Sequence, residues 1–190
     1  MSDRLSVDGV HSSTLDGVRF GTLVRHADQR GAFREIWRSG ADDPADRFVQ
    51  ANLSSSRAGV LRGLHLHRRQ RDLWIVASGR ALVALVDVRP LLARGAGERP
   101  IVETRELSVD DWVEIPRGVA HGFLALESLE LIYFVSNEFD GTDELGFAWD
   151  DPTAAVPWPV VTSTPDGLPI LSDRDRSNPS LVALVESLRT

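Results

Sequence analysis

The stretch GVLRGLHLHRRQRDLWIVASG, residues 59–79, sets two imidazoles one residue apart and a carboxylate five residues beyond the second: His65, His67 and Asp72. A third imidazole, His121, follows a Pro-x-Gly turn in IPRGVAHGF. These side chains suit two chemistries. An imidazole held by a carboxylate partner is a general base at neutral pH. Three imidazoles and one carboxylate are also a donor set for a borderline divalent cation. The rest of the composition removes competitors. The chain has no cysteine, which excludes disulfides, thiolate ligands and cysteine nucleophiles. All 21 basic side chains are arginine, which excludes Schiff-base chemistry and a lysine acid. A net charge of −7 gives no attraction for nucleic acid. The arginines between 62 and 71 could still hold a small phosphate-bearing ligand.

The elements that must position these groups read as short β runs between turn residues: VRFGTLV, GAFREIW, RFVQANLS, GVLRGLHLH, DLWIVAS, ALVALVDV, IVETREL, DWVEI, HGFLAL and LELIYFVS. Their number and spacing predict a sandwich or barrel. Alternation along a strand sends His65 and His67 to one face and Leu64 and Leu66 to the other. Asp72 opens the next strand and can fold back beside the histidines. Ser78-Gly79 reads as a hairpin turn, RPLLARGAGERP as a longer connection, and ALVALVDV as a strand buried on both faces. The one helix expected is C-terminal, with Asn178-Pro179 as its cap and apolar residues at 181, 184, 185 and 188. The 190 residues read as a single domain. No run of about 18 apolar residues and no leader-like start in MSDRLSVDGVHSS are present, so a cytoplasmic protein away from membranes is expected.

The spacing Gly59-x5-His65-x-His67-x4-Asp72-x6-Gly79, with Pro116-x-Gly118-x2-His121, resembles the two motifs of the cupin superfamily. That resemblance implies an all-β jelly-roll barrel. In its metal-binding members it implies an iron, manganese, nickel or zinc ion on His65, His67, Asp72 and His121. A narrower resemblance runs from about residue 15 to 181. DQRGAF with Glu35, FVQANLS, GVLRGLH, VDVRP, IPRGVAHGFLAL, LIY, WDDP and LSDRD, in that order, look like the dTDP-4-dehydrorhamnose 3,5-epimerase family, itself of the cupin type.

This second resemblance implies an isomerase acting on a nucleotide-activated 4-keto-6-deoxy sugar without a cofactor. His65 would be the base beside the ketone, Asp175 its orienting partner, and Tyr133 the acid across the ring. Arg62, Arg30, Gln50 and Asn52 would hold the diphosphate of a dTDP-sugar, and Phe33 and Glu35 would lie near its base. The family also implies a homodimer in which N-terminal strands reach the neighbouring site.

The chain departs from the family pattern where the chemistry is most demanding. Asp72 stands in place of a lysine that steadies the enolate oxygen, and Val83 in place of that lysine's aspartate partner. His67 replaces a glutamine, Phe139 replaces a tyrosine near the substrate, and Ala125 stands where many cupins have asparagine. Two other functions are therefore carried beside the epimerase: a metal-dependent cupin enzyme catalysing isomerisation, cyclisation or oxygen chemistry, and an inactive sugar-nucleotide binder. Purely structural readings exist as well. Asp72 could pair with Arg69 or Arg71, Tyr133 could be core, and Asp175 could sit in a solvated loop.

Overall fold

The computed structural model describes residues 9–39, 46–95 and 97–189. Residues 1–8, read above for a leader, lie outside them. In chain order the strands are β1 (Val10–His11), β2 (Arg19–Thr22), β3 (His26–Asp28), β4 (Gly31–Phe33), β5 (Gln50–Ser56), β6 (Leu61–Leu66), β7 (Asp72–Ser78), β8 (Arg80–Asp87), β9 (Ile101–Ser108), β10 (Asp111–Ile115), β11 (Val119–Ala125), β12 (Leu129–Val135) and β13 (Leu145–Gly146). They form two antiparallel sheets, in the orders β1-β2-β10-β7-β12-β5 and β13-β6-β11-β8-β9, with β3-β4 as a separate hairpin. This two-sheet sandwich is one of the two outcomes that the strand number and spacing predict, and it fits the all-β jelly roll that the cupin resemblance implies.

The sheets face each other across one apolar cluster. Phe20, Trp74, Val113, Ile115 and Leu131 enter it from the six-stranded sheet, and Val83, Leu85, Leu107, Val119 and Phe123 from the five-stranded sheet. The far side of the five-stranded sheet is covered too. Leu64, Leu66, Ala84, Val86 and Ala120 pack there under Leu91, Phe147, Leu181 and Val185. The strand β8 is therefore sandwiched on both faces, which is why its sequence lacks alternation.

Three local expectations are corrected. Ser78-Gly79 does not close a hairpin, because β7 and β8 lie in different sheets. Gly79 instead takes the chain across the sandwich, at φ +81°, where a Cβ would come within 2.1 Å of the Ser128 carbonyl oxygen. A turn dipeptide encodes reversal of direction, not the sheet in which the next strand pairs. The connection after β8 also contains a short helix, α1 (Arg89–Arg94), anchored by buried Leu91. A second helix, α2 (Asp173–Ser177), precedes the C-terminal helix, α3 (Leu181–Arg189). Asn178 ends α2 rather than capping α3. The α3 cap is Ser180, whose Oγ accepts from the Ala183 amide at 3.2 Å, while buried Asp151 accepts from the Leu181 amide at 2.9 Å.

Candidate active site

A cavity of about 480 Å³ opens between the sheets. Period-two alternation builds its walls. Gln50, Asn52 and Ser54 come from β5, Leu131, Tyr133 and Val135 from β12, and Asp72 and Trp74 from β7. Register aligns them in rows: Asn52 pairs with Tyr133 and Tyr133 with Trp74, while Gln50 pairs with Val135 and Val135 with Asp72. The opposite sheet supplies His65, on β6, His67 just past its end, and His121 and Phe123 on β11. His65 and His121 are direct cross-strand partners, and the ladder shifts register immediately after His121. There the two backbones touch. Gly63 sits at φ +132°, and a Cβ on it would lie 2.6 Å from the Gly122 Cα, so this approach of the histidine-bearing strands is open only to glycine.

His65 Nε2 lies 2.8 Å from Asp175 Oδ1. A carboxylate only accepts, so Nε2 carries the proton and the basic lone pair of the neutral ring is on Nδ1. Asp175 is buried in the first turn of α2 and is itself fixed. Its amide donates to Ser172 Oγ at 3.1 Å, and the Ser172 hydroxyl donates back to Asp175 Oδ2 at 2.9 Å. Burial would raise the Asp175 carboxyl. The hydrogen bond and charge of His65, with Ser172 and Arg174, outweigh that and hold it below its ordinary value.

His67, Asp72 and His121 form a second group whose donor atoms all lie within 4.8 Å of one another. All three are buried. His67 Nδ1 donates to the Asp143 carbonyl at 2.6 Å, and His121 Nδ1 to the Val119 carbonyl at 3.1 Å. Both Nε2 lone pairs are thereby left free of backbone partners, and that of His121 lies 3.8 Å from Asp72 Oδ2. Asp72 does not pair with Arg69 or Arg71. It accepts from Gln70 Nε2 at 2.8 Å and from Trp74 Nε1 at 3.2 Å. Burial pushes the His121 imidazole down to about 4, against the opposing pull of Asp72. The four-residue metal set narrows to three here: the donor atoms that lie within 4.8 Å of one another are those of His67, Asp72 and His121, and His65 is not in that group.

Tyr133 faces the cavity from the six-stranded sheet, across from His65 on the other. Burial and the nearby Asp72 charge raise its phenol, with Arg62 opposing. Arg62 lines the cavity and donates to Ser56 Oγ at 3.1 Å and the Ser55 carbonyl at 3.2 Å. At the mouth, the Phe139 amide donates to Gln50 Oε1 and Gln50 Nε2 donates to Asn52 Oδ1, both at 2.9 Å. Phe139 itself is 68% exposed.

Three predicted residues are elsewhere. Arg30 is exposed and paired with Asp28, Phe33 is exposed on the β3-β4 hairpin, and Glu35 is paired with Arg38; none lines the cavity. Ser172, Trp74, Gln70, Asp143 and the Arg174–Glu144 pair enter the site without having been singled out from the sequence. Ser172 carried a signal, the S-x-x-D capping pattern ahead of α2. Trp74 carried another, its i+2 spacing from Asp72.

A family model described as dTDP-4-dehydrorhamnose 3,5-epimerase matches residues 12–183. The spore coat polysaccharide biosynthesis protein SpsL of Bacillus subtilis is 36% identical over 148 residues, 76% of this chain and 96% of that protein. The dTDP-4-dehydrorhamnose 3,5-epimerase of Mycobacterium tuberculosis is 36% identical over 173 residues, 84% of this chain and 80% of that one. Among solved structures, the dTDP-6-deoxy-D-glucose-3,5-epimerase of Legionella pneumophila in complex with dTDP-4-keto-L-rhamnose superposes with a TM-score of 0.81. It is 26% identical, and the match covers 96% of each chain.

Proposed function

This chain belongs to the dTDP-4-dehydrorhamnose 3,5-epimerase family, and from that premise we propose that it epimerises a dTDP-4-keto-6-deoxy sugar with His65 as base, Asp175 as its orienting partner and Tyr133 as acid. His65 Nδ1 takes the proton from a carbon next to the ketone, and the C–H electron pair moves to give the enolate. The Tyr133 hydroxyl then delivers a proton to the opposite face of the same carbon, the carbonyl re-forms and the centre is inverted. The supporting observation is the pairing of two features. A 2.8 Å His65–Asp175 contact leaves one basic ring nitrogen, and a phenol stands on the facing sheet. The raised Tyr133 phenol stays protonated at neutral pH, as a donor must. A complete base and acid argue against an inactive binder.

The two proton transfers themselves are carried by His65 and Tyr133. The convergence of His67, Asp72 and His121 favours a divalent cation as an auxiliary to the same reaction, rather than as the centre of a different one. The unused positions of Arg30, Phe33 and Glu35 favour a homodimer, in which a second copy brings the hairpin and its following segment to this cavity. Light scattering that gives a monomer at micromolar concentration would count against the dimer.

The test is solvent exchange. In D2O the enzyme should place deuterium beside the ketone of a dTDP-4-keto-6-deoxy sugar, and His65→Ala should not. Undiminished exchange in His65→Ala would remove the mechanism.

A further inference from the structure

Resting on that reading, we propose that His67, Asp72 and His121 form a two-histidine, one-carboxylate site for a first-row divalent cation, separate from the base His65 and directed at the ketone oxygen of the substrate. Three acceptors meet here with no donor of their own toward one another: two imidazole Nε2 lone pairs and a carboxylate, buried to 7, 3 and 4% exposure for His67, Asp72 and His121. All three line the cavity, so lone pairs converging there can meet a positive or protic group that enters it. The rings are already fixed as ligands are fixed. Each donates Nδ1–H to a main-chain carbonyl, which selects Nε2 as the free donor and sets the ring plane. Gln70 and Trp74 orient the carboxylate in the same way.

The reaction supplies a second, independent reason. Proton removal beside a ketone puts negative charge on the carbonyl oxygen, and stabilising that charge is usually a large part of catalysis. The chain has no lysine to do so. The cations among the described cavity residues are Arg62 and Arg174. Arg62 is committed to Ser56 and the Ser55 carbonyl, and Arg174 to Glu144. A cation held by three protein donors keeps coordination positions open for an oxygen of the substrate, and bound there it would polarise the ketone as a Lewis acid.

The donor set also fits in size and type. The His121–Asp72 separation of 3.8 Å suits two ligands on one ion with bonds of about 2.1 Å, and the 4.8 Å limit closes with small side-chain shifts. Two imidazoles with one carboxylate favour zinc, iron, nickel or manganese over magnesium or calcium.

Titration calorimetry of the chelator-treated full chain with zinc, manganese and nickel chlorides tests the proposal, with the visible spectrum of a cobalt(II) titration as a coordination readout. One equivalent should bind. His67→Ala, Asp72→Ala and His121→Ala should each weaken it by about 100-fold or more, the scale on which even outer partners of metal ligands are felt. His65→Ala should leave affinity and cobalt spectrum unchanged. Thermal melts without metal identify any variant that fails to fold, and His67→Gln then stands in for His67→Ala. Absence of stoichiometric binding by wild-type protein overturns the site, as does equal loss in His65→Ala, which would centre the ion on the base. The two readings fail separately. Binding without solvent exchange sinks the epimerase and keeps the ion, whereas exchange without binding does the reverse.

Discussion

His65 and Asp175, 110 residues apart in sequence, meet at 2.8 Å where β6 runs beside the first turn of α2. The contact fixes the tautomer of the base and leaves a carboxylate to stabilise the imidazolium that forms when the substrate proton arrives. Asp175→Asn keeps the size of the side chain but loses the charge. It should lower the rate of deuterium incorporation by about 10²–10⁴-fold, the range general-base catalysis supplies, with little change in KM. Tyr133→Phe should spare exchange into the substrate while slowing inversion. Exchange by Asp175→Asn at the wild-type rate would dissociate the pair from the chemistry.

Ser172 acts through Asp175. Its hydroxyl and the Asp175 amide exchange hydrogen bonds that cap α2 and pin the carboxylate. Ser172→Ala should cost about 1 kcal/mol of stability as a lost cap and should also depress kcat, with KM held. Ser172→Thr should restore both. A stability loss with unchanged kcat would reduce Ser172 to a cap alone.

The Asp175 carboxyl titrates below its ordinary 3.8 in the folded protein. The unfolded chain therefore takes up this proton first on acidification. The contribution to stability is intact above that value and is lost as the pH falls through the folded pKa. Between about pH 5 and about pH 2 the melting temperature of wild-type protein should fall more steeply than that of Asp175→Asn. Parallel curves would mean that the pair adds nothing to folding.

Asp72→Lys offers the cavity a covalent cation in place of a coordinated one. Zinc binding should vanish, and exchange activity should no longer respond to chelator. Val83, 1% exposed in the core between the sheets, limits the companion change. Val83→Asp alone buries an unpaired carboxylate and should destabilise by about 3 kcal/mol or more, and the double variant should recover part of that loss. Chelator sensitivity surviving in Asp72→Lys would place the cation elsewhere.

Much of this was legible in the residues. Strand alternation is enough to send His65 and His67 to one face, and the β8 run without alternation announced burial on both sides. Asp175 and Tyr133 were reachable only through motif resemblance, since nothing in local pattern ties α2 to β6. The division of the histidines into a base and a separate acceptor group was not legible. It depends on which ring nitrogen each neighbour engages, and the neighbour of His67 is a carbonyl 76 residues away. The β7–β8 crossover was misread because Gly79 reports a positive φ, which hairpins and inter-sheet corners both need. Helix α1 escaped notice because one buried leucine anchors it, too little for a periodic pattern.

Asp143 holds two things at once. Its carboxylate accepts from the Arg68 and Arg69 amides at the β6–β7 turn, at 3.0 and 2.8 Å, and its carbonyl accepts a hydrogen bond from His67 Nδ1. It belongs to the same loop as Phe139, at the rim of the cavity. One residue of this loop thus fixes both the β6–β7 turn and the plane of the His67 ring, so the shape of the turn and the aim of that imidazole are coupled through a single side chain and its own carbonyl.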